Sequence, residues 1–121
     1  MDKFGYSESD WAKAKAQTRK ALIRSAKRDQ DICYSDLVPL IEAIAFEPHD
    51  VRLFHLLGEI STDEHNSSRP LLSVMVVHKT GDREPGPGFF ELSSQLGYAI
   101  SDRVIFRVSE RTRAVDYWKN H

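Results

Sequence analysis

Apolar and polar positions recur with helical spacing in four stretches of this chain. In the first, Trp11, Ala14, Thr18, Ala21, Leu22 and Ser25 repeat at intervals of three and four, with polar and basic residues between them. That pattern predicts an amphipathic surface helix over 8–28. Ser7 and Asp10 ahead of it have capping-box spacing, with Asp in place of Glu. Ile32, Cys33 and Tyr34 predict a brief extended segment. Ser35 is a candidate N-cap, and Leu37, Leu40, Ile41 and Ile44 then form one apolar helical face, with Pro39 expected in the first turn. After a turn at 46–50, Asp50 predicts the cap of a helix over 51–66 with the stripe Leu53, Leu56, Leu57 and Ile60.

The pattern then changes. An apolar run over 71–78 predicts a strand, and the charged, Pro- and Gly-rich stretch 79–88 predicts its turn. Phe89, Phe90, Leu92 and Leu96 follow on a return strand or short helix, stopped by Gly97. Ser101 is expected to cap a last helix whose core stripe would be Val104, Val108, Val115 and Trp118. Two short helices followed by a β-hairpin is the order of a winged helix-turn-helix. The expected fold is therefore α+β, a mainly helical winged helix-turn-helix-like domain with flanking N- and C-terminal helices. Pro85, Gly86, Pro87 and Gly88 would stiffen the wing, and Phe89 and Phe90 would pin its return limb to the core.

Length and composition narrow this picture without redirecting it. A chain of 121 residues, 40% apolar and 29% charged, predicts one domain with a modest core. The longest apolar runs are too short to span a membrane, and "MDKFGYSESDW" lacks a signal-peptide core. The single cysteine, Cys33, excludes an internal disulfide. A cytoplasmic protein is expected.

Charge is more informative than its net value of −1. Between Trp11 and Arg28 stand Lys13, Lys15, Arg19, Lys20, Arg24, Lys27 and Arg28, and no acid. Between Asp29 and Ser68 the balance reverses, with nine acids against Arg52 alone. Such blocks either pair with one another or polarise the surface.

Little points to catalysis or metal binding. His55 and Glu59 share a helix face near Asp63 and His65, but no His-x-x-x-His or Cys-x-x-Cys spacing exists. No metal and no cofactor is expected. Glu59, Asp63 and Glu64 read as a solvated helix end rather than a Mg²⁺ site. "GDREPGPG" is not a phosphate loop, because its spacing is wrong and its prolines remove amide donors. Cys33 reads as a small buried hydrophobe and His78 as a hydrogen-bonded edge residue. Trp11 and Trp118 are expected to pack the terminal helices together.

The segments "DICYSDLVPLI", "RLFHLLGEI" and "LLSVMVVHKTGDREPG" together resemble the C-terminal domain of O6-alkylguanine-DNA alkyltransferases and the related alkyltransferase-like proteins. The resemblance covers roughly half the chain. It implies a winged helix on DNA, with Tyr34 as the tyrosine that helps rotate a nucleotide out of the duplex. It also implies Gly58 as the recognition-helix glycine and His78 as the histidine of the Cys-His pair. The residue that would be the nucleophile is Val77, so alkyl transfer is not expected. The chain also resembles small bacterial proteins with the pattern Tyr-Ser-x-Leu, Arg-Pro-Leu-Leu-Ser and Pro-Gly-x-Gly-Phe-Phe.

The resulting expectation is a non-enzymatic nucleic-acid-binding domain, for DNA first. Its contacts would come from Lys13, Lys20, Arg24, Lys27, Arg28, Tyr34, Arg52, Lys79 and Arg83. The alternatives are a protein-interaction or regulatory module using the acidic 47–64 segment, including a homodimer, and a small enzyme of unrecognised type.

Overall fold

The computed structural model describes residues 3–79 and 83–121. Its elements are α1 (Glu8–Lys27), β1 (Ile32–Cys33), α2 (Tyr34–Leu37), α3 (Val51–Asn66), β2 (Val76–Val77), α4 (Pro87–Gln95) and α5 (Arg103–Lys119). Short 3-10 turns at Val38–Leu40 and Leu72–Met75 follow α2 and precede β2. The architecture is α+β and mostly helical. Its two strands pair in parallel, Ile32 opposite Val76 and Cys33 opposite Val77.

The centre of the molecule is the segment 70–77, buried at every position and enclosed by α1, α3 and α5. Helices on all sides leave room for only a two-residue strand, so side chains take over the backbone donors that a longer ladder would have used. Glu110 Oε2 accepts the Leu71 N–H at 2.8 Å, and Ser61 Oγ accepts the Ser73 N–H at 3.1 Å. The strand expected over 71–78 is thereby reduced to Val76–Val77. The partner of β2 is β1, not a return limb. Phe89 and Phe90 lie on α4, where Pro87 occupies the first turn and its missing N–H is no loss. The expected turn of the wing includes 80–82, which lie outside the described residues.

Three local expectations are corrected. α2 starts at Tyr34 with Cys33 as its N-cap, one residue earlier than a Ser35 cap allows. Pro39 therefore falls beyond the first turn, cannot donate to the Ser35 carbonyl, and the chain tightens into a 3-10 turn, leaving Ile44 off the helix. The N-cap of α5 is Asp102, whose Oδ1 accepts the Ile105 N–H at 3.0 Å, not Ser101. The buried face of α5 is Phe106, Glu110, Ala114, Val115 and Trp118, so Val104 and Val108 point outward. A carboxylate occupies that core stripe because Leu71 N–H and Arg113 satisfy it there.

The helices over 8–28 and 51–66 form as their stripes predict, with Ser7 and Asp50 as caps. Arg107 and Arg111 reach Asp31 beyond the end of α1, while the Arg19 guanidinium lies over Trp118, so α1 and α5 run antiparallel. Trp118 does pack the terminal helices together. Trp11 instead sits among Tyr6, Phe46 and His55 and donates to Glu59 Oε1 at 3.2 Å.

Candidate functional site

The six cations of α1 separate into two sets by helical phase. Lys15 and Arg19 flank the buried stripe and reach α3. Lys15 Nζ lies 3.3 Å from Glu59 Oε1 and 2.7 Å from Asp63 Oδ2, and Arg19 Nε lies 2.5 Å from Glu64 Oε1. Lys3, at 2.9 Å, and His55, at 3.0 Å, also meet Glu59. Burial pushes the Glu59 carboxyl up, but hydrogen bonds from Lys3, Trp11 and Lys15 pull it further down, to about 2. The acidic and basic blocks of the sequence thus pair in part, and the acids of α3 are neutralised from within.

Lys13, Lys20, Arg24 and Lys27 form the second set. Their spacing of seven, four and three places them within about 60° of one another on the helix surface, opposite the buried stripe. All four are exposed, as is Arg28 at the C-cap, and none has an ion pair among the described residues. The two carboxylates that follow, Asp29 and Asp31, are held by Arg111 at 2.6 and 2.7 Å, and Asp31 also by Arg107 at 3.2 Å. Arg111 lowers the pKa of Asp29 by donating to it.

The remaining expected contact residues divide. Arg83 is exposed, and its carbonyl accepts from the same Arg107 that holds Asp31, which brings it beside the C-terminal end of the basic stripe. Lys79 is exposed on the other side of 80–82. Arg52 is engaged: it donates to both oxygens of Asp50, at 2.8 and 2.7 Å, and its guanidinium lies over the Tyr6 ring. Those donors hold Asp50 at about 2. Tyr34 is not on the basic face at all.

Tyr34 instead lines a groove of about 630 Å³ between α3 and α4. At one end stand the Tyr34, Phe54 and His78 rings, with centroids 5.5 Å apart for Tyr34–Phe54 and 5.3 Å for Tyr34–His78. Gly86 closes that end. A Cβ there would lie 3.2 Å from Tyr34 Oη and 3.4 Å from His78 Nε2, a tight fit that would press the phenol back by a few tenths of an ångström. Tyr34 Oη accepts the Gly86 N–H at 3.4 Å, and burial raises the phenol pKa. Leu57, Gly58, Phe89 and Leu92 form the apolar floor, and Glu59, Asp63, Glu91 and Lys15 are the charged groups of the lining.

Tyr34, Gly58 and His78, the positions singled out by the alkyltransferase resemblance, all line this groove. Val77, at the nucleophile position, is fully buried in β2. Cys33 is buried in the neighbouring strand. No group of three metal-ligating side chains is present among the described residues, and no helix among them is long and apolar enough to cross a membrane. The sequence reading missed Phe54, Leu92 and Glu91 as a site. Its one available signal was Gly58, a helix-interior glycine that propensity disfavours. Comparison with protein-family models, with curated proteins and with solved structures yields no match.

Proposed function

We propose that this protein binds nucleic acid, DNA first, through the outward face of α1, without covalent chemistry. The observation that carries the reading is the stripe Lys13, Lys20, Arg24 and Lys27, unpaired among the described residues, continued by Arg28 and approached by Arg83. Cations with no internal partner are free to displace counterions from phosphates. The carboxylates of α3 do not oppose this, because Lys3, Lys15, Arg19 and Arg69 already neutralise them. In this reading the fold is a variant of the winged helix, in which α2 and α3 stand for the helix-turn-helix, and the His78 N–H meets the Glu84 carbonyl at 3.0 Å on either side of the expected wing turn. Tyr34, in the groove, and Arg52, paired with Asp50, lie off this face and make no phosphate contact in this reading.

Fluorescence anisotropy with labelled duplex and single-stranded DNA tests the proposal. If five cations each neutralise one phosphate, log K falls against log salt with a slope of about −4 to −5 on duplex. Absence of binding at low salt would remove this reading.

One observation favours a second reading, self-association. Val104, Ile105 and Val108 are 60, 67 and 53% exposed on one side of the first turns of α5. Such a strip is suited to pairing with the same strip of a second copy. Light scattering of the wild type and of Ile105→Glu discriminates: a dimer lost on substitution supports it, and a monomer in both excludes it.

A further inference from the structure

We infer that the α3–α4 groove is a binding site for a small amphipathic amine, a flat apolar body with a hydrogen-bonding head and a cationic tail. The groove's size, about 630 Å³, is that of an ordinary small-molecule site. Its chemistry differs from one end to the other. At the head, the Tyr34 hydroxyl receives the Gly86 N–H but gives its own proton to no acceptor among the described residues. His78 Nε2 stands beside it, brought near by the absence of a side chain at Gly86. A ligand oxygen there would complete the hydrogen bonding of the phenol.

The middle is a slot for a ring. Phe54 is 40% exposed and meets Tyr34 edge-on, and Leu57, Phe89 and Leu92 lie below. Gly58 keeps that floor low. A Cβ at this position would meet only Leu92 Cδ2, at 3.9 Å, so packing does not require glycine here. A glycine inside a helix costs about 1 kcal/mol relative to alanine, and an open groove floor is what it provides in return.

The tail end is acidic. Among the lining residues three carboxylates, Glu59, Asp63 and Glu91, face one ammonium, Lys15. Glu59 and Asp63 already share Lys15, whereas Glu91 is exposed with no ion pair among the described residues. Glu91 lies one helical turn, about 6 Å, along α4 from Pro87 at the head. A ligand that reaches both needs its hydroxyl and its ammonium at opposite ends of the apolar body.

Three matched probes test this on the full chain by amide NMR titration: tyramine, p-cresol and 4-hydroxyphenylacetate. They share a phenol and differ in tail charge. The expected result is shifts confined to α3, α4 and the residues around Tyr34, His78 and Gly86, with tyramine binding at least tenfold more tightly than 4-hydroxyphenylacetate. Glu91→Gln should weaken tyramine severalfold and leave p-cresol unchanged. Tyr34→Phe should weaken all three alike. No saturable shifts for any probe, shifts centred elsewhere, or the acid binding as tightly as the amine would overturn the inference. The site is independent of the DNA proposal: Lys20→Glu/Arg24→Glu/Lys27→Glu should abolish DNA retention and leave tyramine binding intact.

Discussion

Glu110 and Leu71 are joined across 39 positions of sequence by a 2.8 Å hydrogen bond from the Leu71 backbone N–H to a carboxylate that is only 2% exposed. This contact ties α5 to the buried central segment. The same carboxylate is closed on its other oxygen by Arg113. Glu110→Ala should therefore destabilise by about 2–3 kcal/mol, because it leaves a buried amide without an acceptor. Glu110→Gln keeps an acceptor and should cost clearly less. Urea unfolding of the two variants checks the order, and equal losses would contradict it.

The Glu59 cluster sets an acid limit. Its folded pKa of about 2 lies below the ordinary 4.5, and Asp50, also at about 2, lies below 3.8. Carboxyls depressed on folding stabilise fully above their unfolded pKa and lose that contribution as pH falls through the folded one. The melting temperature should therefore decline as pH drops from about 4.5 towards 2. Glu59→Gln should flatten that decline, and circular-dichroism melts with parallel slopes in both proteins would refute the assignment.

Two glycines of the groove should respond in opposite directions. Gly58→Ala adds helix propensity and meets only Leu92 at 3.9 Å, so a gain of about 0.5–1 kcal/mol is expected. Gly86 has φ −66° and ψ 164°, which alanine adopts freely, but its Cβ would press on Tyr34 Oη and His78 Nε2. Gly86→Ala should cost about 1–2 kcal/mol and shift the ring resonances of both aromatics. Thermal unfolding and NMR read the two effects separately.

Reversing Lys20, Arg24 and Lys27 should leave stability within about 1 kcal/mol, since exposed cations without partners contribute little to folding. Arg19→Glu is the contrast. It places a second carboxylate against buried Glu64 and should destabilise strongly. If the triple variant also unfolds, its charges are structural, and the nucleic-acid reading loses its surface.

Where a helix was amphipathic and long, its phase, its caps and its buried face were legible from residue order. α1 and α3 follow from Trp11 through Ser25 and Leu53 through Ile60, because in both the apolar and small residues hold one helical phase across that span. The first half of α5 was misphased because Val104 and Val108 outweighed a glutamate on any hydropathy count, although Glu110 is the residue its partners bury, while Val115 and Trp118 are buried as expected. The outward stripe of α1 was legible as charge. Which of its cations were already taken was not, since that depends on where α3 sets Glu59, Asp63 and Glu64.

The chain by itself determined the buried faces of α1 and α3, its single buried cysteine and the division into basic and acidic blocks, all consequences of local period and composition. The fate of 70–77 was decided in three dimensions. A continuous apolar run carries no period, so enclosure by three helices, rather than pattern, made it a 3-10 turn and a two-residue parallel strand. The groove arose in the same way. Tyr34, Gly58, His78 and Glu91 come from four separate segments, and no spacing in the sequence records that α4 folds back along α3 to bring them together.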